Sequence, residues 1–343
     1  MLSSLILPFV FGEAELLARL PSQVADYTLQ KIPIHQKAYK LAINKPTPHA
    51  DQIIVSPARF ARILNIMNGL AYGGGMGMPE WVMLDCALLP SFFAGFMGPA
   101  HLLTASQRDL INAQLMISEA DRSEIRSQLE NSLTVTTGKL QDDEYVPLAE
   151  FCALARGPLT QILAFSLYSF KRGLGISAKA LGLALWKNLG YQEQMGVAQW
   201  TNIAAVRAHL RFGRLEVIEP FTAMHTKAGE SFIYKLQIPE ISTLEQLIQS
   251  GLSRQASRKV ICPSDKLEEQ QWQLVYDSVN QRQLMQDVKQ WFDQRIQEDK
   301  QVYIYGIREQ ESKQESKQES KQESKQESKQ EQRKTMIEIL VGS

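Results

Sequence analysis

Arg172-Gly173-Leu174-Gly175-Ile176-Ser177 joins one apolar run, AFSLYSF, to another, SAKALGLALW. Residues of these types at this spacing can hold an anion. A helix N-terminus carries unsatisfied N–H groups and a partial positive charge. It binds phosphate when the preceding loop lets the backbone come close. Gly173 and Gly175 remove side chains at those points, and Lys171 and Arg172 add charge. The same residues also suit a plain strand-to-helix turn, and the turn alone does not choose between the two.

Three groups near this turn in sequence, or after it, could move a proton. Glu150 lies in the otherwise apolar run YVPLAEFCAL. Facing the interior, its pKa would rise and it could act as a base; facing solvent, it would be an ordinary carboxylate. His209, in AAVRAHLRF, can donate a proton near neutral pH or serve as a packed structural histidine. Tyr168, near the end of the run that enters the turn, could approach a reacting group or simply pack as an aromatic. Cys152 has no histidine in a recognisable partner motif, so covalent catalysis lacks support. His225, in TAMHTKAGE, could line an acceptor site or be a solvated loop residue. The five histidines, at 35, 49, 101, 209 and 225, are too scattered for a metal motif, and the three cysteines form no CxxC pair. No metal is expected.

These candidates must be positioned by a chain of 343 residues, 44% of them hydrophobic. Lys and Arg number 37, as do Asp and Glu, so the net charge is zero. That balance argues against a nucleic-acid partner. The apolar N-terminus lacks a basic n-region, and the run from Val82 to Gly98 is broken by Asp85 and Pro90, so no membrane span is expected. A reducing cytoplasm is the simplest setting for the cysteines.

ARFARILNIMNGL (58–70) has helical spacing, and the glycine-rich AYGGGMGM (71–78) reads as a loop. From Trp81 the pattern is strand-like WVMLDCALL and SFFAGFM, then helices over 104–115 and 118–132, the second with Ser118 as N-cap. Strands SLTVTTGKL, YVPLAEFCAL and QILAFSLYSF follow, then a helix from about Ser177. Strand MGVAQW, helix AAVRAHLRF and strands LEVIEPF and SFIYKLQI complete the series. Consecutive strands predict a meander, and the later β-α-β step predicts a parallel crossover. The fold class expected is α/β (α+β), with a mixed, mostly antiparallel central sheet flanked by helices.

Residues 246–343 read as a separate C-terminal α/β appendage. It holds the amphipathic helix QRQLMQDVKQWFDQRI and two strands, QVYIYGI and TMIEILV. Between them the tetrapeptide ESKQ repeats five times over 311–330. On a helix its like charges would stack at i and i+4, and it has nothing apolar to bury. It is expected to be a disordered insertion in a loop between two strands, with a partner-binding tail as the functional alternative. The expected division is an N-terminal extension (1–78), a core (79–245) and the appendage (246–343).

Beyond the glycine turn, Asn202, Ala205, His209, Arg211 and Gly213 stand in the frame N-x-x-A-x-x-x-H-x-R-x-G. With the turn, this resembles the second half of the GCN5-related N-acetyltransferase (GNAT) superfamily. There the turn reads Q/R-x-x-G-x-G/A, and the later segment reads N-x-x-A-x-x-x-Y-x-K-x-G-F/Y. The resemblance covers about residues 79–240, and its sharp part is 165–235. It implies a GNAT-like core binding acetyl-CoA or another acyl-CoA. Amides over roughly Leu174, Gly175, Ile176 and Ser177 would hold the pyrophosphate, and Arg172, Gly173 and Asn202 would join the cofactor set. The strands AFSLYSF and MGVAQW would splay to admit the pantetheine arm. The implied reaction is acyl transfer, most simply acetyl transfer, to a small-molecule amine by direct attack on the thioester. Glu150 or a water chain would take the amine proton, with Tyr168 near the reacting groups. The departures are Ser177 at the last turn position, Arg211 for lysine, His209 for the tyrosine that serves as thiolate acid, and Arg214 for the final aromatic. They keep open a non-catalytic protein that binds coenzyme A or an acyl ligand as a sensor, and an interaction module whose turn is only a turn. The sequence names neither the acceptor nor an oligomeric state.

Overall fold

A computed structural model describes residues 5–20, 30–34, 37–43, 57–72, 91–115, 138–156, 160–200, 202–222, 230–252, 260–261, 270–277, 281–312 and 334–342. Several expected features lie outside these residues: the strand WVMLDCALL, the helix over 118–132 with its cap Ser118, most of SLTVTTGKL, His225, and the repeat from Lys313 onward. The chain forms two compact units. Unit 1 takes Met1–Gly196, Met224–Ala228 and Gln237–Ala256; unit 2 takes Val197–Ala223, Gly229–Leu236 and Ser257–Ser343.

Unit 1 is built on strands β1 (Leu7–Glu13), β2 (Gln30–Ile34), β3 (Lys37–Ile43), β4 (Ser91–Pro99), β5 (Tyr145–Arg156), β6 (Gln161–Ser169) and the start of β7 (Glu193–Gln199). Their order is β7-β6-β5-β4-β1-β3-β2. Every pairing is antiparallel except β6 with β7, which is parallel. The mixed, mostly antiparallel sheet expected from the strand pattern is therefore present. The expected boundary at residue 78 falls within unit 1, where β1 lies directly against β4. Between the strands come α1 (Ala14–Leu17), α2 (Pro57–Ala71), α3 (Ala105–Leu115) and α4 (Leu174–Asn188); α6 (Ile241–Leu252) also belongs to this unit.

The β4 sequence SFFAGFMGP reads as a continuous apolar run because both faces are covered: all nine residues are buried. The two faces are covered by different helices. The α2 stripe Phe60, Ile63, Leu64 and Met67 is buried in the core with Phe9, Phe93 and Leu148. Phe9 and Phe60 meet edge to face at 4.9 Å. On the other face, α4 packs so closely that a Cβ at Gly182 would collide with the Phe151 ring. Trp186, on α4, stacks on Phe92 of β4 at 4.5 Å. The close approach of helix and sheet excludes water from both faces and buries the apolar area that stabilises the unit.

Unit 2 contains the end of β7, α5 (Ile203–Leu210), β8 (Leu215–Thr222), most of β9 (Glu230–Gln237), β10 (Val260–Ile261), β11 (Gln270–Asp277), α7 (Gln281–Gln297), β12 (Val302–Ser312) and β13 (Lys334–Gly342). Its strand order is β11-β13-β12-β8-β9, all antiparallel, with β10 added to β12. Trp200 lies 4.2 Å from the Phe232 ring and 5.0 Å from that of Phe292 on α7. Glu311 and Ser312, the first two repeat residues, already lie in β12, where Ser312 is opposite Lys334.

Candidate functional site

β6 has two unlike edges. Toward β5 it is antiparallel with one irregularity: Cys152 lies opposite Ser166, and Ala153 opposite Ala164. Phe165 is thus an extra residue on β6. Such a bulge takes one residue out of the ladder and increases local twist. Toward β7 the register is parallel and covers only Gln161–Leu163 against Glu193–Met195. β6 itself continues to Ser169.

The glycine turn follows at once. Helix α4 begins at Leu174, three residues before the expected start at Ser177, and its N-cap is Gly173 with φ 91°. That value lies in the left-handed region, where glycine alone avoids a Cβ penalty. Gly175 is small because β6 passes close by: a Cβ there would lie 3.2 Å from that of Ser169. Both glycines therefore have a local packing reason.

Within the turn, Leu174 N–H donates to Lys171 O at 3.2 Å, and Ile176 and Ser177 N–H donate to Gly173 O at 3.1 and 3.4 Å. These bonds use three amides of the turn and not those of Arg172, Gly173 and Gly175. Arg172 is exposed and Lys171 partly so. Ser177 is not the cap. It is fully buried in the first turn of α4, and its hydroxyl donates to Ile248 O of α6 at 2.7 Å. Gly251 of α6 packs so tightly there that a Cβ would strike Ser177 Oγ and Gly173 O. Helix α6 was not foreseen, and it covers one side of the turn.

Glu150 faces the interior. Cross-strand pairing puts Glu150 opposite Tyr168 and Cys152 opposite Ser166, so all four side chains share the face that α2 covers. Asn68 of α2 donates to Glu150 Oε2 at 3.0 Å and to Ser166 Oγ at 2.9 Å. Glu150 Oε1 and Asn68 Oδ1 are buried with no hydrogen-bond partner among the described residues. Burial pushes the Glu150 carboxyl up to about 8, against the bonds from Ser166 and Asn68, which pull it down. The group is thus largely protonated near neutral pH. Burial, with help from the Glu150 charge, raises the Tyr168 phenol well above its ordinary value. Tyr168 donates to Pro147 O at 3.4 Å.

Tyr72, one residue past α2, joins this cluster. Its hydroxyl donates to Leu167 O at 2.8 Å and accepts from Leu167 N–H at 2.6 Å. Burial pushes it up to about 12. Asn68, Tyr72 and Ser166 were not singled out by sequence. The available signal was Asn68 itself: four residues after Leu64, a polar group occupies the apolar stripe of a helix. Lys179 was also missed. It is fully buried on α4, and burial holds its amine well below the ordinary lysine value.

The remaining candidates lie in unit 2. Asn202 caps α5, its Oδ1 accepting from Ala205 N–H at 3.1 Å. The N-x-x-A spacing is therefore the spacing of an N-cap. His209 is 6% exposed, with its ring 4.9 Å from that of Tyr234. Gly213 has φ 146° and so requires glycine, and Arg214 lies 4.5 Å over the Tyr303 ring. Unit 1 thus brings together Glu150, Tyr168 and, along β6, the 172–177 turn; Asn202 and His209 belong to unit 2. Among the described residues, no His, Cys, Asp and Glu group could hold a metal ion, and no helix is long and apolar enough to cross a membrane.

No family model and no curated protein matches the chain. Solved structures it resembles include nourseothricin acetyltransferase, at 14% identity and TM-score 0.25, over 29% of this chain and 62% of that one. A GCN5-related N-acetyltransferase from Brucella melitensis aligns at 17% identity and TM-score 0.27, over 47% and 81%. A variant of a cAMP-binding acyltransferase from Mycobacterium smegmatis aligns at 13% identity and TM-score 0.24, over 73% and 83%.

Proposed function

We propose that the chain binds acyl-CoA along β6 and the 172–177 turn, and that it is an N-acyltransferase acting on a small-molecule amine. One observation carries this reading. β6 keeps only three pairs with β7, then carries a bulge at Phe165, and then runs into the N-terminus of a 15-residue helix. An extended amide-bearing arm fits the strand edge that pairing has left, and a pyrophosphate fits the helix end where the arm stops. The anion would meet the amides of Arg172, Gly173 and Gly175 and the Arg172 guanidinium. Leu174, Ile176 and Ser177 have their amides turned to the turn's own carbonyls, so they shape the cradle. An amine nitrogen attacks the thioester carbonyl, the C–S bond breaks, the amine loses a proton, and the thiolate gains one. In this reading Glu150 is the candidate base, in the ionised form it reaches above about pH 8.

A second reading, a non-catalytic acyl-CoA binder, is favoured by a separate observation. All three candidate proton carriers are enclosed: Glu150 is 0%, Tyr168 4% and His209 6% exposed.

Calorimetry with acetyl-CoA and desulfo-CoA tests the cofactor step, beside Arg172→Glu. Arg172 is exposed, so its reversal spares the packing that a change at Gly175 would disturb. Saturable binding is expected for the wild type, with at least tenfold loss in the variant. Wild type that ignores both ligands at millimolar concentration would end the acyl-CoA reading. A bound complex that releases free thiol with none of a panel of amines would select the binder.

A further inference from the structure

The contact between Tyr72 and Leu167 has no role in the function just proposed. In the order β5-β6-β7, β6 pairs with β7 only up to Leu163. Leu167 lies opposite Phe151 of β5, yet its N–H and C=O both bond the Tyr72 hydroxyl. In an antiparallel ladder, a residue whose polar groups do not engage its partner points them to the opposite edge. The Tyr72 hydroxyl therefore sits on the β7-side edge of β6, four residues past the last β6–β7 pair. It donates and accepts at once, as one amide of an added strand would.

The position of that hydroxyl is fixed from behind. Asn68, one helical turn earlier, is tied to Glu150 and Ser166 at 3.0 and 2.9 Å. The end of α2 is thus latched to the strand whose edge the phenol covers.

We propose that Tyr72 is a gate on β6: its hydroxyl holds the N–H and C=O of Leu167 that an extended, amide-bearing ligand must take. This rests on the acyl-CoA reading above. The ligand competes with the phenol for the same two backbone groups, so α2, which sequence placed in an extension, sets the affinity of the strand. The phenol discriminates by shape: a ligand with an amide-bearing arm must displace it, and a nucleotide without the arm need not.

The test is calorimetry on wild type, Tyr72→Phe and Tyr72→Leu, each checked for cooperative unfolding. The two ligands are coenzyme A and adenosine 3′,5′-bisphosphate, which lacks the pantetheine arm. Removing the hydroxyl leaves Leu167 without this partner, so coenzyme A is expected to bind both variants about tenfold more tightly. The bisphosphate is expected to bind all three proteins equally. Amide exchange at Leu167 in the free protein should quicken in both variants. Coenzyme A that binds wild type and variants equally, or the variants more weakly, would overturn the gate and leave the acyl-CoA reading standing. Failure of all three proteins to bind coenzyme A would overturn both.

Discussion

Glu150 is the residue whose environment has the clearest measurable consequence. Burial pushes its carboxyl from the ordinary 4.5 up to about 8. Between those values the native state binds more protons than the unfolded chain, so stability falls as pH rises through the window. Above about 8 the loss is complete and the curve flattens for this group. Glu150→Gln keeps an amide that can bond Asn68 or Ser166 and removes the titration. The variant is expected to match wild type near pH 5 and to exceed it by up to about 5 kcal/mol at pH 8.5. Urea unfolding of both proteins across pH 5–9 measures this. Parallel curves would show that Glu150 ionises freely in the fold.

Helix α4 and its neighbour α6 are the elements that shape the glycine turn. Gly251 lies near the C-terminal end of α6, against Gly173 O and Ser177. At an exposed helical position, Gly→Ala stabilises by about 1 kcal/mol. At Gly251 the added methyl meets backbone and a buried hydroxyl that cannot move away cheaply. Gly251→Ala is therefore expected to destabilise by about 1–3 kcal/mol. The urea midpoint of the variant reads the sign, and a raised midpoint would mean that α6 does not press on the turn. Beside this contact the Ser177 hydroxyl donates to Ile248 O on α6.

Across the whole molecule, the ESKQ repeat is an insertion between β12 and β13, whose register runs to Ser312 opposite Lys334. The hairpin is held by its strands and by Arg308, which bonds Glu338 across the pair at 2.6 Å. Deleting residues 315–330 shortens the connection without touching the register. Closing a shorter loop costs less entropy, so the deletion is expected to stabilise unit 2 by about 1 kcal/mol. Thermal unfolding of the deletion protein checks this. A lowered midpoint would show that the repeat makes contacts the fold needs.

Period and local turn chemistry made much of the fold legible in sequence. The α2 stripe, the β7 strand and the runs of β4, β5 and β6 emerge where they were expected, because a buried face must repeat with its element's own period. The β6-α4-β7 crossover is parallel as its order required. Gly173 and Gly213 mark backbone that only glycine adopts without strain, and Asn202 marks a cap, so these positions were determined locally. Tertiary structure decided the rest. Whether Glu150 faced water or core depended on which helix covered β5, a contact between residues 82 apart in sequence. The register of β6 with β7, the bulge at Phe165, the closure of α6 over Ser177 and the Tyr72 hydroxyl on Leu167 all join distant segments. No local pattern encodes them, because their energy comes from packing and hydrogen bonds that exist only once both partners are in place.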